Sequence, residues 1–204
     1  YTATATYEIA GNASYRSNTE LVSTITKAVF DDSFANTRLT NTNSMFRSME
    51  NLESIDGLAN LNTSQVTSMS SMFIGCKSLK ELDLSHFDTS EVTNMTGMFW
   101  GCKALTSLDL SSFDTSKVTD MSDMIRNCEN LETLTLSEKF VTSRVTNMAR
   151  MFYYCLKLQS LDVTHFDTSN VTNMNGLFQS CATLKSLDVT GFDTRKAEHM
   201  SAMF

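Results

Sequence analysis

The sequence predicts an α/β solenoid, a right-handed coil with a parallel sheet on one face and short helices on the other. Three observations predict it. The first is a fixed period, because the five cysteines are separated by 26, 26, 27 and 26 residues. The second is a short alternating apolar pattern in each period, which is typical of a strand. The third is an apolar pattern with helical spacing, which lies later in the same period and is separated from the first pattern by a turn. Periods of about 20 to 50 residues indicate stacked repeat units.

The chain divides into an end segment and a repeat region. YTATATYEIA, at the start of residues 1–24, alternates Thr with aromatic or small apolar residues and is followed by the turn pair Gly11 and Asn12. This pattern is typical of strands. We therefore expect residues 1–24 to form an N-terminal β cap over the open end of the core. Residues 25–204 are expected to form about seven coils of about 26 residues, with the last coil truncated.

Each coil carries a predicted strand of the form LxxLDL. In the copy at 105–110, Leu105, Leu108 and Leu110 are apolar, and the intervening Asp109 is polar. Alternation at period two places one side of a strand in the core. Strands of neighbouring coils would then add in parallel at a spacing of about 4.8 Å.

A turn and a predicted helix complete the coil. The turn is Phe-Asp-Thr-Ser, whose Asp and Ser can bond to nearby backbone groups. Beyond it, Met95, Met98, Phe99 and Cys102 stand at i, i+3, i+4 and i+7, which is one face of a helix. Asn94 lies just before the first Met, where it suits a helix N-cap.

The cysteines form the last rung of that apolar face, at Cys76, Cys102, Cys128, Cys155 and Cys181. We expect a ladder of buried thiols that act as small apolar groups. Disulfides between neighbouring rungs would have poor geometry because their Cβ vectors are parallel. Structural zinc requires cysteine pairs two to four residues apart, and the sequence has none.

One strand and one short helix per period is the pattern of a leucine-rich-repeat coil. The string FDTSxVTNMxxMFxxCxxLxxLDLS resembles the BspA-like leucine-rich-repeat family of bacterial surface proteins. The resemblance covers about residues 45–204 and extends into the preceding segment. It implies a secreted or surface-anchored protein with an adhesive role, and it brings no catalytic motif with it.

Composition and motifs exclude several classes of function. The net charge of −7 and the pI of about 4.9 argue against nucleic acid or an anionic membrane as a partner. No apolar stretch approaches the roughly 18 residues of a membrane span, so we expect no membrane insertion. His86 and His165 fill a turn position that elsewhere holds Ser112 or Gly191. We therefore predict no enzyme, no catalytic residue, no metal site and no cofactor.

Two surfaces are candidates for binding. One is the outward side of the predicted strands, a mildly acidic ribbon that could equally be a solvated sheet face. Its residues are Glu81, Asp83, Asp109, Thr135, Asp162 and Asp188. The other is the flank of the predicted helices, whose side chains could instead cover the edge of the core. Its residues are Trp100, Arg126, Tyr153 and Tyr154.

The expected function is a non-catalytic interaction module on a bacterial cell surface, with an extracellular location. Its expected partner is a host or bacterial surface protein or glycan, bound through a rigid face of the solenoid. The alternative is a structural spacer or stalk that presents another domain.

Overall fold

The structure, a computed structural model, describes residues 19–204. Most of the predicted β cap at residues 1–24 therefore lies outside the described residues. Its described end forms helix α1 (Thr19–Thr24) and is not extended. The β cap as a whole remains a prediction.

Four short strands and two 3-10 helices are found in the described residues. They are β1 (Lys27–Val29), the 3-10 helix Asp32–Asn36, β2 (Ser54–Asp56), the 3-10 helix Leu58–Asn60, β3 (Ser107–Asp109) and β4 (Thr133–Thr135). β1 pairs with β2 and β3 pairs with β4, both in parallel. The register places Ala28 beside Ile55 and Leu108 beside Leu134.

The strand pairs lie where the LxxLDL pattern predicts them, but they do not join into one sheet. In the copy at 105–110, Leu108 and Leu110 are buried while Asp109 is exposed, as the alternation requires. Segments 79–84, 158–163 and 184–189 form no strand. The predicted parallel sheet on this face is therefore present only as two separate pairs of strands.

The continuous ladder lies instead at the Val-Thr-Asn-Met segment. Parallel bridges link neighbouring coils here through Asn41, Ser68, Asn94, Asp120, Asn147, Asn173 and His199. The threonine before each bridge adds a second bond. Thr93 donates both its backbone N–H, at 2.9 Å, and its Oγ1, at 3.1 Å, to the carbonyl of Thr67 in the coil before it. Thr119, Thr146 and Thr172 repeat the pattern.

The Met-Phe-Cys segment is not a helix, which corrects the prediction of short helices on the second face. Within the described residues, the one α-helix is α1. In every repeat but the last, two residues of this segment have positive φ, as at Gly97 (60°) and Gly101 (77°), which ends any helical run. The apolar positions were identified correctly, because turns of this kind bring residues i, i+3, i+4 and i+7 to one side as a helix does.

Backbone bonding in this segment alternates between the coil itself and its neighbour. The N–H groups of Met95, Gly97, Phe99 and Gly101 donate to carbonyls of the next coil. Those of Met98, Trp100 and Cys102 donate three residues back within their own coil. The backbone is thus paired without a helix, and each coil is fixed to the next.

Stacked columns of apolar side chains fill the space between the two faces. Phe46, Phe73 and Phe99 stack with ring centroids 5.2 and 5.7 Å apart. Phe152 and Phe178 continue the same column at 5.6 Å, with Ile125 between the two stacks. Leu, Met and Cys columns surround them, and twelve of the thirteen methionines are buried. Methionine therefore packs the core at every position but Met200.

Candidate functional site

The cysteine ladder is part of the scaffold. The thiol of Cys102 donates to the carbonyl of Phe73 at 3.2 Å, and every other cysteine makes the same bond to the coil before it. All five are free thiols. Burial raises the pKa of Cys76 and of Cys128 to about 12. The expected ladder of buried thiols is confirmed for Cys76, Cys102, Cys128 and Cys155, whereas Cys181 is only partly buried. Low thiolate content makes these thiols poor nucleophiles.

The outward acidic residues of the strand side are exposed, but their carboxylates hold turns. Asp83, Asp109, Asp162 and Asp188 each accept the backbone N–H of the residue two positions later, at 2.8 to 3.0 Å. The hydroxyl and then the N–H of Thr164 lower the pKa of Asp162. The hydroxyl and then the N–H of Thr190 lower the pKa of Asp188 in the same way. Glu81 and Thr135 are exposed on the same side.

A buried threonine column fixes the Phe-Asp-Thr-Ser turns. Oγ1 of Thr89, a residue 1% exposed, donates to the carbonyl of Asp114 at 2.9 Å and accepts its N–H at 2.8 Å. Thr168 does the same with Asp193. The carboxylate of Asp88 accepts both the N–H and the hydroxyl of Ser90. These repeated polar groups bind to one another rather than to a ligand.

The aromatic and arginine residues of the second side form a stack. The guanidinium carbon of Arg126 lies 4.5 Å from the centroid of Trp100 and 5.0 Å from that of Tyr153. Both rings attract the cation through their faces. Tyr153 also lies beside Tyr154, with centroids 4.8 Å apart. The structure therefore brings all four sequence-predicted residues of this side together, across three successive coils.

One carboxylate joins two arginines beside this stack. Asp123, with a side chain 11% exposed, accepts from Nη1 of Arg126 at 3.0 Å. It also accepts from Nε and Nη2 of Arg150 at 2.8 and 2.9 Å, a two-point contact that fixes the guanidinium plane. The bonds to Asp123 raise the pKa of the Arg150 guanidinium.

The stack is the centre of a longer surface. Its column holds one residue per coil, and Arg47 occupies the same position two coils before Trp100. Asp123 and Arg150 lie on one flanking column, and Tyr154 lies on the other. We name this surface the arginine–aromatic strip: Arg47, Trp100, Asp123, Arg126, Arg150, Tyr153 and Tyr154.

Three members of the strip were missed in the sequence. Arg47 follows Met45-Phe46 just as Trp100 follows Met98-Phe99, so the repeat register could have found it. Asp123 and Arg150 occupy a position held elsewhere by Ser44, Ser71, Gly97 or Gly176. A regular helix contains no left-handed residue, so the predicted helix gave no indication of this position.

Other candidate sites are limited in the described part of the chain. His86 and His165 are exposed, as a turn position predicts. No group of three or more His, Cys, Asp or Glu residues within 19–204 is placed to hold a metal ion.

A shallow open groove near His86 includes Asp88, whose carboxylate already bonds to Ser90. None of the helices in the described residues is long and apolar enough to cross a membrane.

Comparisons with known proteins identify related sequences and folds. The family model described as "Mycoplasma protein of unknown function, DUF285" matches residues 14–138 and 132–204. A leucine-rich cell surface protein from Faecalibacterium prausnitzii A2-165 is 18% identical, with a TM-score of 0.52 over 79% of this chain and 38% of that one. A leucine-rich repeat protein from Bacteroides ovatus ATCC 8483 is 17% identical, with a TM-score of 0.54 over 87% of this chain and 42% of that one.

These structural matches show the fold, a leucine-rich-repeat type of solenoid. The chain spans about two fifths of the length of the two solved proteins. No curated protein matches the chain.

Proposed function

The chain belongs to the DUF285 family, and on that premise we propose that it is a non-catalytic interaction module of a bacterial cell surface. The module would bind a host or bacterial surface protein or glycan through one rigid side of its solenoid. The description of the Faecalibacterium protein as a cell surface protein supports the extracellular location. The repeat string FDTSxVTNMxxMFxxCxxLxxLDLS supports the finer assignment to the BspA-like type.

The use of the repeated polar groups supports a non-catalytic role. Thiols, threonines and aspartates that could serve as nucleophiles or bases are bonded to the scaffold in coil after coil, as at Cys102, Thr89 and Asp162. A catalytic group needs a free reactive atom and a partner that activates it. Residues fixed by the architecture in every coil do not meet that need.

The observation that carries the proposal is the Trp100–Arg126–Tyr153 stack. It interrupts the repeat, because the same column holds Ile74 and Gln179 on either side. It stands on backbone that bonds to both neighbouring coils, so its side chains are held in place before binding. Trp, Tyr and Arg are the residues most enriched at binding hot spots, and preorganisation reduces the entropic cost of association.

A capture experiment tests this function. The immobilised chain is exposed to defined host matrix proteins, mucins and bacterial surface extracts, with a heat-unfolded sample as control. We expect saturable capture of at least one component by the folded chain alone. Equal capture by the unfolded chain would contradict the proposal.

The second candidate function is a spacer, favoured by the unbroken bridge ladder from Asn41 to His199. Absence of any captured component, together with capture by a domain that the spacer would present, would support the spacer and reject the interaction module.

A further inference from the structure

We infer that the arginine–aromatic strip docks on an acidic polypeptide segment of the partner. This inference rests on the proposed function and specifies its partner. It follows from the charge of the strip, from its free hydrogen-bond donors and from the places where the strip departs from the most stable choice of residue.

The charge of the strip is opposite to that of the chain. Arg47, Arg126 and Arg150 carry three positive charges, and Asp123 supplies the one negative charge of the strip. The strip is therefore net positive in a chain of net charge −7. Two lysines that follow the cysteines on this side are already paired, Lys77 with Glu50 and Lys103 with Glu129.

The strip offers donors and few acceptors. The indole N–H of Trp100 and the hydroxyls of Tyr153 and Tyr154 make no hydrogen bond to the described residues. Arg47 likewise forms no side-chain bond there, and its side chain is exposed. Indole and guanidinium groups can only donate. A matching surface must supply acceptor oxygens, and carboxylates supply them with the complementary charge.

Local stability is compromised at the strip. Nε of Arg126 is buried without a hydrogen-bond partner in the described residues, an arrangement that costs free energy. Arg150 and Tyr154 have positive φ (55° and 61°), at positions where other coils place mainly Gly, Ser or Asn. Such departures are concentrated at functional sites in proteins.

The same features favour a polypeptide over a polyanion or a neutral sugar. One face of Trp100 and one face of Tyr153 are covered by Arg126, which removes stacking area for a base or a pyranose ring. Polyanion binding depends on many cation contacts, and the strip has three arginines. Two or three carboxylates on a polypeptide match this number, and Trp, Tyr and Arg are typical of protein interfaces.

The sole tryptophan of the sequence provides the test, because Trp100 lies in the strip. A synthetic peptide without Trp or Tyr, with Glu at alternate positions, is titrated into the intact chain while Trp100 fluorescence is followed. The same peptide with Gln in place of Glu is the matched ligand. We expect a saturable change with the Glu peptide alone, weakened by added salt.

Variants locate the binding. Arg47→Gln and Arg150→Gln should each weaken peptide binding at least about fivefold, the loss found when an interface residue that contributes to affinity is truncated. The matched control is Arg195→Gln, which removes the same charge from an exposed turn outside the strip and should have no effect. Because the Arg47 side chain forms no hydrogen bond or ion pair with the described residues, its variant should remain folded.

Several results would overturn the inference. They are an unchanged Trp100 signal, equal binding of the Gln peptide, or an equal loss in Arg195→Gln. Heparin binding that depends on the same arginines would identify a polyanion instead, and self-association abolished by Arg47→Gln would identify a second copy of the chain. Capture of surface components that persists without peptide binding would reject the acidic polypeptide and leave the proposed function intact.

Discussion

At the scale of single residues, a polar side chain that recurs from coil to coil stabilises the stacking of the coils. Thr89 shows this most clearly, because its hydroxyl closes two bonds to the backbone of Asp114 in the next coil. The repeat itself could be found in the sequence, and the burial of the cysteines followed from it. The hydrogen bonds of the threonine hydroxyls could not be predicted from the sequence, since they depend on the register between coils.

Replacing Thr89 with Val tests the buried threonine column. The change keeps the shape and leaves the N–H of Asp114 without its acceptor, so we expect unfolding to become easier by about 1 to 3 kcal/mol. The control is Thr135→Val on exposed β4, which should change stability by no more than about 0.5 kcal/mol. Chemical denaturation measures both, and equal losses would contradict the role of the column.

The thiol ladder predicts a loss of stability at alkaline pH. Burial raises the pKa of Cys76 and Cys128 from 9.0 to about 12, and that of Cys181 to about 11. The folded chain therefore holds these protons more tightly than the unfolded chain. The stability they contribute is fully present below about pH 9 and is lost as the pH rises towards about 12.

Denaturation midpoints measured from neutral to alkaline pH test this effect. Cys128→Ala should show a shallower decline above about pH 9 than the original chain, because one raised pKa has been removed. Parallel curves for the two proteins would show that the buried thiol of Cys128 does not contribute to the decline.

At the scale of elements, the Met-Phe-Cys segment shows where sequence patterns mislead. Its apolar spacing fits a helix, and every apolar position it predicted is buried in the repeat of Met95, Met98, Phe99 and Cys102. Yet Gly97 and Gly101 interrupt the run with positive φ. Burial periodicity reports which side chains face the core, and it does not distinguish a helix from a chain of tight turns. Small and polar residues at two fixed positions were the signal for turns.

Glycine substitutions test the left-handed positions. Gly101→Ala places a Cβ on a residue with φ of 77°, so we expect a loss of about 1 to 2 kcal/mol. Gly191→Ala is the control, because its φ is not positive and its new Cβ meets only the carbonyl of Thr164 at 3.6 Å. Thermal unfolding of the two variants should therefore differ, and equal melting temperatures would contradict the assigned backbone.

At the scale of the whole molecule, the repeat period determines the architecture. A 26-residue spacing predicted the solenoid, and the parallel bridges between coils follow it through the described chain. The position of the main ladder was not predictable from LxxLDL, because strand alternation and ladder bonding are separate properties. Two sides of the solenoid differ in charge, because one carries the aspartate turns and the other carries the arginine–aromatic strip.

The central claim is that the chain binds through the strip and not through the acidic strand side. Two double variants compare the sides directly, namely Trp100→Ala with Tyr153→Ala, and Asp83→Asn with Asp109→Asn. Asn retains the acceptor oxygen that each turn requires, so the second pair removes charge alone. Far-ultraviolet circular dichroism and thermal melting establish that both variants are folded.

The decisive measurement is the affinity of each variant for the surface component that the original chain captures. The strip variant should bind at least about tenfold more weakly, since it loses two hot-spot aromatic residues, and the strand-side variant should bind as the original chain does. Unchanged binding by a folded strip variant, with binding lost in the strand-side variant, would contradict the account.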